Sequence, residues 1–195
     1  GAYNWFDWFD IGMVETYGRK FHIINSGLCG DTTEGLLERF DRDLAVYSPH
    51  IIFLTIGGND SGLESGISPE KFRENLYLLK DKFDELGAKT IFQTYYAPDV
   101  KNLEEGRPER FAEFMDIVRE TSSASGTNLI DHLVRWEGLR EKEYDTYLRL
   151  MQDPFHLTAL GNMVMGLDMI KSCGGKLPEH LRDICSEGIR INDLL

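Results

Sequence analysis

Apolar residues recur at helical spacing over residues 3–17, where Trp5, Trp8, Phe9, Met13 and Tyr17 form one stripe and Gly18 closes the helix. The stripe reads as core packing rather than a ligand platform. Phe21-His22-Ile23-Ile24-Asn25 then reads as a short strand, with no role for His22. A glycine-rich loop follows over Ser26–Asp31. Thr32 or Thr33 opens the next helix, with Leu37, Phe40 and Leu44 inward, and Ser48-Pro49 breaks the chain. The run from Ile51 to Ile56 is almost continuously apolar, the pattern of a strand buried on both faces, and it ends in Gly57-Gly58-Asn59-Asp60. The clearest helix covers 69–86, with Pro69 at its start, Phe72, Leu76, Leu79, Phe83 and Leu86 in one stripe, and Gly87 at its end. Thr90–Tyr95 reads as a strand running into the loop Tyr96-Ala97-Pro98-Asp99. A helix over 108–122 turns Phe111, Phe114, Met115 and Val118 inward. Asn128–Asp131 is a last short strand, and helical character returns over 136–151. Leu157, Leu160, Val164, Leu167 and Ile170 mark a final helix, for which Thr158 is a suitable N-cap.

Strands alternating with helices predict an α/β fold, a parallel sheet with helices on both faces. No repeat, low-complexity stretch or linker divides the chain, so residues 1–195 read as a single domain. The tail 174–195, with two glycines and then Pro178, reads as peripheral. Length and composition agree: 195 residues suit one core, and 42% apolar with 28% charged residues is ordinary for a globular chain. Lysine plus arginine number 21 against 33 acidic residues, a net charge of −12 with no basic block. That balance argues against nucleic acid or an anionic membrane surface as partner. Cys29, Cys173 and Cys185 fit neither a disulfide scaffold nor a zinc pattern. No apolar run is long enough for a membrane span and no signal peptide is visible. A cytoplasmic location is slightly favoured and secretion stays open.

The chemistry centres on Asp153-Pro154-Phe155-His156. Pro154 keeps Asp153 out of the helical region, so carboxylate and imidazole sit on a turn before a helix. That is the base-and-orienter half of a nucleophilic triad. The plain alternative is a capping Asp and a surface His. Two loops at the carboxyl ends of strands have matching chemistry. Gly30 precedes a helix, so its N–H is free to donate; Asn59, after Gly57-Gly58, presents a side-chain amide. Each alone could be turn chemistry. Together with the His–Asp pair they make an acid–base couple and an oxyanion hole, the requirements of acyl transfer.

Taken in order, these blocks resemble those of the SGNH (GDSL-type) hydrolases. Asn25–Thr32 resembles the family's second block, with Gly30 as oxyanion glycine. Gly57-Gly58-Asn59-Asp60 resembles the third, with Asn59 as oxyanion asparagine, and Asp153-Pro154-Phe155-His156 resembles the fifth. The resemblance implies a three-layer α/β/α sandwich with a flavodoxin-like parallel sheet. It also implies hydrolysis of esters or thioesters without metal or organic cofactor, with His156 as base and then acid, and Asp153 as its orienter.

The family's first block, Gly-Asp-Ser, which carries the nucleophile at the end of the first strand, is not in this sequence. Three explanations are open: a chain that begins beyond that strand, a strand supplied from elsewhere or by a second copy, or a different nucleophile. Cys29, at a helix start, is the only nearby candidate for the last, although it reads better as a small buried residue. Ser26 and Ser61 do not occupy the nucleophile's position. On this reading residues 1–195 alone are inactive or very weak, and poorly stable or homo-oligomeric through the exposed strand edges. Tyr95, Tyr96 and Pro98 could line a pocket or simply pack; short acyl groups, such as those on sugars, are the expected substrates. A non-catalytic relative that binds sugar or protein is the main rival. A flavodoxin-like nucleotide or flavin binder lacks its phosphate loop here. His50, His132 and His180 read as structural.

Overall fold

Three strands, β1 (Ile51–Thr55), β2 (Lys89–Gln93) and β3 (Asn128–Ile130), form a parallel sheet in that order. The register pairs Ile51 with Lys89 and Thr55 with Gln93, then Ile91 with Asn128 and Gln93 with Ile130. The computed structural model describes residues 4–177 and 179–195. Tyr3, within the expected first helix, and Pro178, in the expected tail, lie outside the described residues. Two compact units divide the chain. One comprises residues up to Asn25 with Tyr96–Asn102 and Val134–Leu195; the other comprises Ser26–Tyr95 with Leu103–Leu133 and holds the sheet.

In the sheet-bearing unit, α2 (Thr33–Asp43) precedes β1, and α3 (Pro69–Glu85) and α4 (Arg107–Ala124) follow β1 and β2. Both α3 and α4 pack on β2 and on each other, with Phe72 stacked on Phe114 at 4.7 Å between ring centres. A consistent crossover hand puts successive crossover helices on one face of a sheet. The α3 helix forms where the sequence signals place it: Ser68 caps the Lys71 N–H at 3.2 Å, Pro69 supplies a preset first turn, and Gly87 leaves at φ +72°. Its stripe Phe72, Leu76, Leu79 and Phe83 is wholly buried, and each side chain contributes about 1.5–3 kcal/mol relative to exposure.

The other unit is helical: α1 (Trp5–Tyr17), α5 (His132–Lys142) from Val134 onward, α6 (Tyr144–Leu148), α7 (Ala159–Ser172) and α8 (Ser186–Asn192). Asn4 and Asp7 form a reciprocal capping box at the start of α1. Small residues bring α1 and α7 together. A Cβ on Gly12 would run into Ile170, and one on Gly166 would run into Trp8. Val164 to Ile170 are buried without interruption, so α7 is the interior helix of this unit. The segment read as peripheral carries α8, where Gly188 lies against Met163 and Leu167, and Cys185 and Ile191 have no exposed surface.

Three local expectations are corrected. Residues 21–25 enter no strand ladder, and Phe21 and Ile24 are 49% and 47% exposed. β-propensity becomes a strand only where a ladder partner is taken up. β1 is not buried on both faces: Ile52 and Leu54 are buried, whereas Ile51 is exposed and Phe53 and Thr55 are half-buried, because β1 is the terminal strand of the sheet. The inner face of α2 runs through Thr33, Leu36 and Phe40, and Leu37 and Leu44 are half-buried. Among the described residues no helix is long and apolar enough to cross a membrane.

Candidate active site

The turn Asp153–His156 sits at the tip of a tight reversal. The Gln152 N–H donates to the His156 carbonyl at 2.7 Å, the Thr158 N–H to the Leu150 carbonyl at 2.8 Å, and Met151 and Leu157 form an antiparallel bridge between them. Thr158 is the N-cap of α7, accepting from the Gly161 N–H at 3.1 Å, as its sequence position suggests. Within the tip, Asp153 Oδ1 accepts the N–H groups of Phe155 and His156, each at 2.8 Å. The His156 ring turns back on the same carboxylate, with Nδ1 2.9 Å from Oδ1 and 2.8 Å from Oδ2. A carboxylate facing Nδ1 fixes the proton on that nitrogen and leaves Nε2 as acceptor. Nε2 has no partner among the described residues, and the side chain is 70% exposed. Partial burial pushes the Asp153 carboxyl up, but the Phe155 N–H, the His156 ring and the His156 N–H together outweigh it and hold the group below the ordinary carboxylate value.

The loop 96–102 supports this tip from below. The Tyr96 hydroxyl donates to the Phe155 carbonyl at 2.5 Å and the Asp99 N–H to the Pro154 carbonyl at 2.9 Å. The loop is itself held by α5 and α6: Arg140 donates to the Pro98 carbonyl at 2.8 Å, Tyr147 to the Ala97 carbonyl at 3.0 Å, and Tyr144 to Asp99 Oδ1 at 3.0 Å. Pro98 is buried and packs rather than lines a surface. No local pattern along the chain signals this support, because its donors lie 42–59 residues from the groups they hold.

The other two candidates stand on turns of the sheet-bearing unit. Gly30 adopts φ +78°, a left-handed conformation that suits glycine, and the Asp31 N–H closes the turn on the Leu28 carbonyl at 3.2 Å. The Gly30 N–H itself meets no acceptor among the described residues, and the residue is exposed. Asn59 is exposed too, and its Nδ2 donates to the Asp31 carbonyl at 2.8 Å. An amide nitrogen carries two N–H groups, so one remains for a ligand. Asp31 is in turn anchored by its carboxylate, with Oδ2 2.8 Å from Arg39 Nε and 2.6 Å from Nη2. One hydrogen bond therefore links the two turns through the residue next to Gly30. Before Asn59, Gly57 has φ +106°, and a Cβ there would lie 2.9 Å from Met115 and Phe72.

The remaining candidates are placed elsewhere by their contacts. The Ser61 hydroxyl is buried on the Gly58 carbonyl, and that of Ser26 donates to the Asp43 carbonyl. Cys29 is exposed, not buried as expected, since it lies on the outside of the Gly30 turn; Cys185 is buried, and all three thiols are free. His132 is wholly buried with Nε2 3.0 Å from Gln93 Oε1, while His22, His50 and His180 are exposed. No group of three or more His, Cys, Asp or Glu among the described residues is arranged to hold a metal ion.

A family model described as GDSL-like lipase/acylhydrolase matches residues 1–164. Among curated proteins the chain is 33% identical over 89 residues to the uncharacterised lipoprotein YqeF of Bacillus subtilis. It is 34% identical over 74 residues to the esterase TesA of Pseudomonas aeruginosa. These stretches cover 43% and 38% of this chain and only 37% and 36% of the two relatives. Among solved structures, Axe2, an acetylxylan esterase from Geobacillus stearothermophilus, superposes with a TM-score of 0.77 at 16% identity, over 90% of this chain and 83% of that one. At such identity the likeness shows the fold alone, an α/β fold with a parallel sheet.

Proposed function

The chain belongs to the GDSL-like lipase/acylhydrolase family, and from that premise we propose that it hydrolyses carboxylic esters with small acyl groups by a serine–histidine–aspartate route. The observation that carries this reading is the imidazole of His156, held by Asp153 through Nδ1 with Nε2 free to take a proton. A surface His with a merely capping Asp has no need of that orientation.

The nucleophile of this proposal is the serine of the family's Gly-Asp-Ser block, N-terminal to residue 1. His156 Nε2 takes the serine proton as the oxygen attacks the ester carbonyl, and Asp153 stabilises the imidazolium that forms. The negative charge that develops on the carbonyl oxygen is met by the Gly30 N–H and the second N–H of Asn59 Nδ2, both unspent on the protein. A donor of this kind is worth about 3 kcal/mol in the transition state. Protonated His156 then returns the proton to the leaving alcohol. Water attacks the acyl-serine by the same steps, releasing the acid. Acetyl or similarly short groups on sugars are the favoured substrates, in keeping with the acetylxylan esterase among the structural relatives.

The test is turnover of p-nitrophenyl acetate, butyrate and octanoate by the full-length protein. The reading expects the acetate to be cleaved fastest and His156→Ala to lower kcat by at least about 10³-fold. Turnover that survives His156→Ala overturns the mechanism. Glycan binding by a folded full-length protein that cleaves none of the esters replaces it with a non-catalytic role.

A further inference from the structure

Asp60 takes no part in the proposed steps, yet its side chain is wholly buried beside the candidate oxyanion asparagine. A buried carboxyl is costly unless its surroundings are built for it. Oδ1 accepts the Thr33 N–H at 2.8 Å and the Thr33 hydroxyl at 2.5 Å. Asn75 Nδ2, from α3, donates to the same hydroxyl at 2.9 Å. An amide nitrogen only donates, so the Thr33 hydroxyl accepts from Asn75 and donates its own O–H in a hydrogen bond to Asp60. The chain Asn75 to Thr33 to Asp60 therefore runs one way, with each residue wholly buried or 1% exposed. Oδ2 is buried and has no hydrogen-bond partner among the described residues.

Thr33 is the first residue of α2, and its N–H is one that the helix leaves without an internal partner. Asp60 thus caps, from another turn, the helix that begins three residues after Gly30. Its own backbone is pinned, because the Asp60 carbonyl accepts the Ser65 hydroxyl at 2.6 Å. Asn59, one residue earlier, is tied to the Asp31 carbonyl. The turn of Gly30 and the turn of Asn59 are consequently joined on two sides, by the exposed Asn59–Asp31 bond and by the buried Asp60–Thr33 pair.

We propose that Asp60 is a positioning residue for ester hydrolysis, which fixes the spacing of the Gly30 N–H and Asn59 Nδ2 by locking Thr33 between itself and Asn75. The inference rests on the reading of Gly30 and Asn59 as oxyanion donors. Two donors on separate turns stabilise one oxyanion only while their separation holds, and a displacement of about 1 Å costs on the order of 10²-fold in rate. A capping carboxyl with no catalytic consequence could equally lie at the surface, where its hydration is retained.

The experiment is a mutant cycle on the full-length protein with p-nitrophenyl acetate, with thermal unfolding followed on each variant. Asp60→Ala is expected to lower kcat by about 10²-fold with KM within about twofold, and Asp60→Asn, which keeps an acceptor for both Thr33 donors, to recover kcat to within about fivefold of the parent. In an Asn59→Ala background the same Asp60→Ala change should cost less than about tenfold, because one of the two donors it spaces is gone. Should Asp60→Ala fail to fold, Thr33→Val removes the hydroxyl but keeps the N–H bond, and a kcat loss of about tenfold with KM unchanged is expected. A folded Asp60→Ala, or Thr33→Val in its place, with parental kcat overturns the inference while a damaged Asn59→Ala leaves the oxyanion reading standing. Equal losses in both backgrounds assign Asp60 to stability alone and also overturn it. Parental kcat in Asn59→Ala removes the reading underneath, and the inference falls with it.

Discussion

Asp153 holds His156 at three points: Oδ1 accepts the backbone N–H at 2.8 Å, and the two carboxylate oxygens lie 2.9 and 2.8 Å from ring Nδ1. The capping role and the orienting role, which compete on the bare sequence, belong to one carboxylate. Pro154 disfavours helical backbone at Asp153, the two N–H bonds to Oδ1 hold the following residues in a bend, and the bend delivers the imidazole to the carboxylate that made it.

The two roles separate under mutation. Asp153→Asn keeps a carbonyl oxygen for the backbone N–H groups of Phe155 and His156, but its amide no longer holds Nδ1 in the right tautomer. We expect kcat to fall by about 10⁴-fold with little change in Tm. Asp153→Ala should lose the turn as well, at a further cost of about 1 kcal/mol in stability by denaturant unfolding.

Asp153 and Asp60 should show opposite pH dependences of stability. The Asp153 carboxyl is held below its ordinary value, so its contribution is present above the unfolded-state value and is lost as pH falls through the folded one. The Asp60 carboxyl is pushed up by burial, against the opposing Thr33 bonds, so its contribution is present below the unfolded-state value and is lost as pH rises through the folded one. Thermal unfolding between about pH 3 and pH 8 is expected to show Asp60→Asn gaining on the parent as pH rises, and Asp153→Asn gaining on it as pH falls. The same sign for both would contradict the burial of one or the pairing of the other.

Tyr96→Phe removes the hydroxyl that holds the Phe155 carbonyl while keeping the ring against Trp136, 5.3 Å away between centres. The expected result is a loss of about 1 kcal/mol in stability and a drop in kcat of several-fold with KM retained. Steady-state kinetics on the short ester measure the split.

Gly57→Ala should be among the most damaging small changes in the chain. The position combines φ +106° with a Cβ pressed to 2.9 Å from Phe72 and Met115, two wholly buried side chains. We expect a destabilisation of about 2–4 kcal/mol by urea unfolding.

Cys29 and Cys185 should differ in accessibility. In the native protein Cys29 is expected to react readily with a disulfide reagent, and Cys185 only on unfolding. Cys29→Ser in the full-length protein should keep ester turnover within about threefold; complete loss would reinstate the thiol as nucleophile.

The alternation of strands and helices was legible in the amino-acid order, because hydrophobic period and terminal signals are local. The α3 stripe from Phe72 to Phe83, the Ser68 cap and the Gly87 exit all stand where spacing places them. The turn of Asp153 and His156 was legible there too, since three residues and a proline suffice to bring that carboxylate to that ring. Local pattern misled where the outcome depends on a partner. Phe21–Asn25 has strand composition without entering a ladder, and β1 has a continuous apolar run although one of its faces is partly open. What holds the candidate groups still came from packing between segments far apart in the chain. Tyr96 reaches Phe155 across 59 residues, and Asn75 reaches Thr33 across 42. A buried polar group takes its partner from whatever the packing brings beside it, and no period or spacing along the chain encodes that neighbour.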